Sequence, residues 1–269
     1  MAIISSESRL APAWTALRAD GRTALIPYLT AGYPSAQASL EALQAADAVA
    51  DILEVGVPFS DPLADGPTIQ RSTYDALQQG MTLAGTLALI ERARLRRPVV
   101  VFSYLNPILR YGLARFLSDA GALGLAGLLL TDLPAGSDPA VESAIQASPL
   151  DLIRLIAPTT RPERLAQAVS GAQGFVYLVA RLGVTGASAA LAEGLEASIA
   201  RVRQATPLPV AVGFGISTPA QARTVAGQAA GVVVGSALVD VLGQAGVPAA
   251  RRFLESLRTA LDAPTGVSG

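Results

Sequence analysis

Eight short apolar runs alternate with longer stretches of helical periodicity along this chain, and that alternation leaves few folds open. The runs are Ala24–Thr30, Asp51–Val55, Val99–Ser103, Gly127–Leu130, Leu152–Ile156, Gly174–Val179, Pro209–Val212 and Gly231–Val234. Several, such as Val-Val-Val-Phe at 99–102 and Gly-Leu-Leu-Leu at 127–130, are apolar at every position rather than at every second one. Such a strand needs cover on both faces, which is the condition of a parallel sheet flanked by helices. Helices are predicted at Ala36–Ala48, Thr68–Gln79, Leu83–Arg96, Ile108–Ala120, Pro139–Ala147, Pro162–Val169, Leu191–Ala205, Pro219–Ala226 and Val247–Leu261. A further helical segment, Glu7–Asp20, precedes the first strand, and a short helix from Ala237 to Leu242 follows the last. Eight strand–helix units favour a closed (β/α)8 TIM barrel over an open doubly wound sheet. The 269 residues fit, since such a barrel takes about 250. No linker or shift of composition divides the chain, so 1–269 is expected to form one barrel domain, frayed after Asp262.

Composition matters mainly for what it removes. There is no Cys, hence no disulfide, no zinc–thiolate site and no thiol nucleophile. There is no His, which excludes a Ser-His-Asp triad and any His-ligated metal. All 20 basic residues are Arg and none is Lys, so a Schiff-base lysine and a P-loop lysine are also excluded. Proton chemistry in this chain must come from Asp, Glu, Tyr, Ser or Thr. The net charge of −1 carries no basic stripe of the kind a nucleic-acid binder needs. The longest apolar run, Gly121 to Leu130, falls short of the roughly 20 residues that span a bilayer. The N-terminus has neither a basic n-region nor a cleavage site, and a cytoplasmic protein without membrane attachment is expected.

In a (β/α)8 barrel the active site lies at the C-terminal ends of the strands. Glu54 sits near that end of the second run, inside an apolar stretch. A carboxylate there is either paired with an inward Arg or backbone donors, or it is catalytic, because desolvation raises its pKa toward neutrality. The loop that follows, Pro58 to Pro67, is stiffened by three prolines and holds Asp61 and Asp65. Asp65, just before Gly66-Pro67, is either a helix cap or a second catalytic carboxylate, and Asp61 fits an ordinary turn. Glycines follow the last three runs: Gly183 and Gly186, Gly213 and Gly215, then Gly235 with Ser236. Tight turns alone use glycine. Three in succession, the last opening a helix, also make a backbone anion cradle suited to a phosphate. Tyr28, Phe102, Tyr104, Tyr177 and Phe214 lie at or near strand ends. Each is either core or part of a flat apolar pocket for a planar ring.

The run Leu53-Glu54-Val-Gly56-Val-Pro58-Phe-Ser-Asp61-Pro62-Leu-Ala-Asp65-Gly66-Pro67-Thr-Ile-Gln70 resembles the hallmark of the tryptophan synthase α subunit family. The resemblance continues through Ile26-Pro27-Tyr-Leu-Thr-Ala-Gly32, Tyr104-Leu-Asn106-Pro107, Thr131-Asp132-Leu-Pro134, Gly183-Val-Thr-Gly186, Gly213-Phe-Gly215-Ile-Ser and Val234-Gly235-Ser236-Ala. It implies retro-aldol cleavage of indole-3-glycerol phosphate to indole and glyceraldehyde 3-phosphate. Glu54 and Asp65 would be the catalytic pair, with Tyr177 near Glu54 and Thr185 meeting Asp65 on loop closure. Phosphate would go to Gly186, Gly213, Gly235 and Ser236, with Gly215 in the same turn region. The indole pocket would use Tyr28, Phe102, Val179 and Phe214. A partner β subunit in an α2β2 assembly is implied, with no cofactor and no metal on this chain. Two departures stand out: Tyr28 where the family often has Phe, and Leu182 where it often has a small polar residue. Two other readings remain, a noncatalytic activator of another enzyme and a free-standing indole-releasing lyase.

Overall fold

The computed structural model describes residues 8–157, 159–179, 188–213 and 215–263, without the side chains of 188–193. Its eight strands are β1 (Ala24–Thr30), β2 (Leu53–Gly56), β3 (Val99–Ser103), β4 (Gly127–Leu130), β5 (Asp151–Ile156), β6 (Val176–Val179), β7 (Val210–Gly213) and β8 (Gly231–Val234). They pair in chain order, all parallel, and β8 closes back onto β1. The helices are α1 (Ala11–Ala19), α2 (Ala36–Asp47), α3 (Pro67–Gln78), α4 (Leu83–Ala93), α5 (Leu105–Tyr111), α6 (Leu113–Ala122), α7 (Pro139–Gln146), α8 (Pro162–Ala168), α9 (Ser188–Ala205), α10 (Pro219–Ala226) and α11 (Ser236–Asp262).

Alternation along each strand sorts residues into two layers. Leu25, Leu29, Leu53, Val55, Val99, Val101, Leu128, Leu130, Val176, Leu178, Val232 and Val234 face the helices. Ile26, Ile52, Val100, Leu129, Ile153, Tyr177, Ala211 and Val233 fill the barrel with Phe175. Both faces are therefore apolar, which is why these strands lack a period of two. Helix α1 plugs the N-terminal end of the barrel: Trp14 and Leu17 are buried, and the Trp14 ring lies 5.5 Å from Phe175.

Two helical segments differ from their sequence reading. The single helix expected over Ile108–Ala120 is two, α5 and α6, separated at Gly112 with φ +96°, a backbone state glycine adopts without penalty. The Asp132 carboxylate accepts the Leu105 N–H at 2.7 Å, so the turn after β4 fastens the start of α5. The short helix after β8 and the C-terminal helix run together as α11, kinked at Gly246 with φ +74° just before Pro248.

Candidate active site

A cavity of about 340 Å³ opens at the C-terminal end of the strands. Its floor is made by inward side chains of neighbouring strands: Tyr28 of β1, Glu54 of β2, Phe102 of β3, Leu155 of β5, Tyr177 and Val179 of β6. Its rim carries Ala64, Asp65 and Gly66 on one side and Gly215, Ser217, Gly235, Ser236 and Asp240 on the other. A larger cavity of about 520 Å³ lies at the opposite end of the barrel against α1, among Arg18, Arg22 and Arg203. Among the described residues its walls include no carboxylate. The acid–base groups belong to the smaller cavity.

Parallel register brings Glu54 opposite Tyr28 on one side and Val100 on the other. Leu53 and Val55 point outward, so Glu54 must point in. It is 1% exposed, and neither carboxylate oxygen has a hydrogen-bond partner among the described residues. Among the described residues neither an inward Arg nor a backbone donor meets it. Burial alone pushes its pKa up to about 8.

Asp65 is not a helix cap. The N-cap of α3 is Gly66, with no side-chain bond, and Pro67 fills the first helical position. The Asp65 carboxylate instead receives the Tyr104 hydroxyl at 3.0 Å, and the same hydroxyl accepts the Ala64 N–H at 2.9 Å. Gln70 Nε2 donates to the Asp65 carbonyl at 2.9 Å and holds the loop backbone from below. Partial burial raises the Asp65 pKa to about 6, while the Tyr104 hydrogen bond pulls it down.

Two tyrosines share one device. The Tyr28 hydroxyl sits where a Cβ on Gly56 would be, and the Tyr177 hydroxyl where one on Gly213 would be. Any larger residue at 56 or 213 would overlap them. Gly213 is thus buried beneath Tyr177 and is not among the residues lining the cavity. Its glycine is required by packing, whatever its backbone N–H does. Tyr28 meets Phe102 edge-to-face at 5.2 Å, and the two form an apolar wall. Both tyrosine hydroxyls are held protonated, by burial first and by the nearby carboxylates next.

At the far rim, α11 begins at Ser236 with Gly235 as its N-cap. The first hydrogen bond back into the turn comes from Val239, to the Gly235 carbonyl, and the preceding N–H groups of the helix have no partner among the described residues. Of the expected site residues, Tyr28, Glu54, Asp65, Phe102, Tyr177, Val179, Gly215, Gly235 and Ser236 all line one cavity. Thr185, Gly186 and Phe214 lie outside the described residues. Gln70, Thr68 and Asp240 were missed. Gln70 stands inside the hallmark run, but nothing local marks Asp240.

The model of the family described as tryptophan synthase alpha chain matches residues 14–261. The chain belongs to the tryptophan synthase alpha chain family. The tryptophan synthase alpha chain of Granulibacter bethesdensis is 46% identical over 241 residues, covering 88% of this chain and 87% of that one. The alpha chain of Chloroflexus aurantiacus is 48% identical over 239 residues, covering 87% and 90%. Among solved structures, tryptophan synthase from Mycobacterium tuberculosis superposes with a TM-score of 0.86 at 42% identity, covering 94% of this chain and 98% of that one. The alpha subunit from Legionella pneumophila gives 0.86 at 34% identity, covering 95% and 98%. As a tryptophan synthase alpha chain, the protein is a carbon–carbon lyase that cleaves indole-3-glycerol phosphate in tryptophan biosynthesis and partners a β subunit. Among the described residues, no helix is long and apolar enough to cross a membrane.

Proposed function

We propose that Glu54 and Asp65 are the catalytic pair of this lyase and that no metal or cofactor on this chain takes part. One observation carries the assignment: the buried Glu54, without a hydrogen-bond partner among the described residues, and the Tyr104-held Asp65 line the same cavity. Glu54, protonated at neutral pH, delivers its proton to C3 of the indole ring. The positive charge that results rests on N1, where the Asp65 carboxylate accepts the N1–H and stabilises it. The Glu54 carboxylate then takes the proton of the adjacent side-chain hydroxyl. The carbon–carbon bond breaks, its electrons return to the ring, and indole and glyceraldehyde 3-phosphate leave with Glu54 protonated again. Tyr28, Phe102, Tyr177 and Val179, with Phe214, form the indole wall. Gly186, Gly213, Gly215, Gly235 and Ser236 supply the phosphate end through backbone donors, and Thr185 meets Asp65 on closure.

The β subunit docks on the rim that carries Asp65, and the assembly is α2β2. Leu63 is 82% exposed and Leu109 is 48% exposed, beside the exposed Asn106. Exposed leucines on the loop that carries Asp65 and on α5, the helix after β3, suit a protein partner. The protein is cytoplasmic on this reading. Glu54→Gln tests the assignment. It should fold and bind indole-3-glycerol phosphate, yet lose turnover by roughly three orders of magnitude or more, since the amide cannot carry the proton. Near-normal turnover would remove Glu54 from the chemistry.

A further inference from the structure

Asp240 joins the two ends of the cavity. It stands on α11 four residues after Ser236, and its side chain lines the wall. Its carboxylate reaches across to α3. Oδ1 accepts Arg71 Nη2 at 2.8 Å, and Oδ2 accepts Thr68 Oγ1 at 2.9 Å. Thr68 and Arg71 lie in the first turns of α3, directly downstream of Asp65. One side chain therefore ties the loop that carries Asp65 to the helix whose N-terminus frames the opposite rim. Tyr104 fastens the same loop from the other side.

Charge gives the cluster a second consequence. Three carboxylates line this cavity, those of Glu54, Asp65 and Asp240, and no arginine does so among the described residues. A phosphorylated substrate is an anion, and every uncompensated carboxylate opposes its approach. Burial keeps Glu54 protonated near neutral pH. Asp240 is one turn into α11, close to the partial positive charge that an arriving phosphate would use. The Arg71 guanidinium on Oδ1 offsets that carboxylate.

We propose that Asp240 is a positioning residue: clasped by Thr68 and Arg71, it fixes the span between Asp65 and the phosphate end, and Arg71 screens its charge from the substrate phosphate. The inference rests on the reading that phosphate sits at Gly235 and Ser236. It separates from a merely stabilising ion pair because its two halves act on anion binding with opposite sign. Removing the acid frees a cation beside the phosphate; removing the base frees an anion.

The test uses the whole α chain, with glycerol 3-phosphate as the binding probe and indole-3-glycerol phosphate for kinetics. Asp240→Asn should tighten glycerol 3-phosphate about threefold while lowering kcat about fivefold, because the span is no longer held. Arg71→Met should weaken glycerol 3-phosphate about threefold, also with kcat about fivefold down. The exchanged pair, Arg71→Asp with Asp240→Arg, should bring kcat back to within about twofold of the parent. Unchanged kcat in both single variants overturns the positioning role, as does a shift of anion affinity in the same direction in both. Failure of the underlying reading looks different: Ser236→Pro would then leave glycerol 3-phosphate affinity untouched in the parent chain.

Discussion

The Tyr104 hydroxyl donates to Asp65 Oδ2 at 3.0 Å across 39 residues of sequence, while the Ala64 N–H donates to that same hydroxyl at 2.9 Å. A phenol held on both sides can aim a carboxylate, and it also lowers that carboxylate's pKa. Tyr104→Phe should therefore shift the acid limb of the kcat/KM profile upward, because Asp65 loses the hydrogen bond that favours its charged form. Turnover should fall about tenfold as the carboxylate loses its fixed position. Asp65→Asn should cost more, about a hundredfold or beyond, without lowering thermal stability, since Gly66 and not Asp65 caps α3 and burial of the Asp65 charge is unfavourable. A drop in melting temperature with turnover intact would return Asp65 to a structural role.

Raised carboxyl pKa values fix the sign of the pH dependence. Between the ordinary Glu value and about 8, the folded chain holds a proton on Glu54 that the unfolded chain has released. Stability from this group is complete at low pH and falls as pH rises through that window, at up to about 1.4 kcal/mol per pH unit. Glu54→Gln should flatten this slope and be the more stable chain at pH about 8, even though it is inactive. In the parent chain kcat/KM should rise through about 6 as Asp65 ionises and fall through about 8 as Glu54 does. Thermal melts of both chains across that range, beside the rate profile, check both limbs.

Phosphate binding at the N-terminus of α11 can be tested by removing a donor there. Ser236 occupies the first helical position, where proline is well tolerated. Ser236→Pro deletes the backbone N–H together with the hydroxyl and should weaken glycerol 3-phosphate about tenfold, with indole affinity and helix content unchanged. Equal loss of both ligands would indicate a distorted rim instead. Valine at Gly235 is a poorer probe, because a Cβ there already contacts the Tyr28 ring at 3.6 Å and reaches the aromatic wall.

Partner docking should act through the loop that holds Asp65. A β subunit that binds only the ordered loop raises the population of the competent state. It should speed cleavage at least about tenfold over the isolated chain. Leu109→Glu places a charge on the exposed side of α5, at a residue that does not line the cavity. It should abolish most of that activation and leave the slow activity of the isolated chain as it was. An isolated chain already at full speed and indifferent to β subunits would favour a free-standing lyase.

Much of this molecule was legible in one dimension. Eight short apolar runs, several apolar at every position, called for strands covered on both faces, and with their intervening helices they led to a closed parallel barrel. The absence of Lys, His and Cys left the acids to do the proton work. The charge of Glu54 inside an apolar strand already marked it as anomalous. Those signals are local, since periodicity, propensity and the chemistry of one side chain among its neighbours are written in adjacent residues. What only the tertiary structure decided is who meets whom across strands. Register places Glu54 beside Tyr28, with no partner for its oxygens among the described residues. The β3 end delivers Tyr104 to Asp65 and so takes Asp65 out of the capping role. Tyr177, not phosphate alone, demands a glycine at 213. Asp240 finds Thr68 and Arg71 across about 170 residues of chain, a separation over which sequence carries no period to read. Barrel closure sets these contacts, because the stagger of eight strands fixes which side chains share the mouth, and that stagger is a property of the whole sheet and of no single segment.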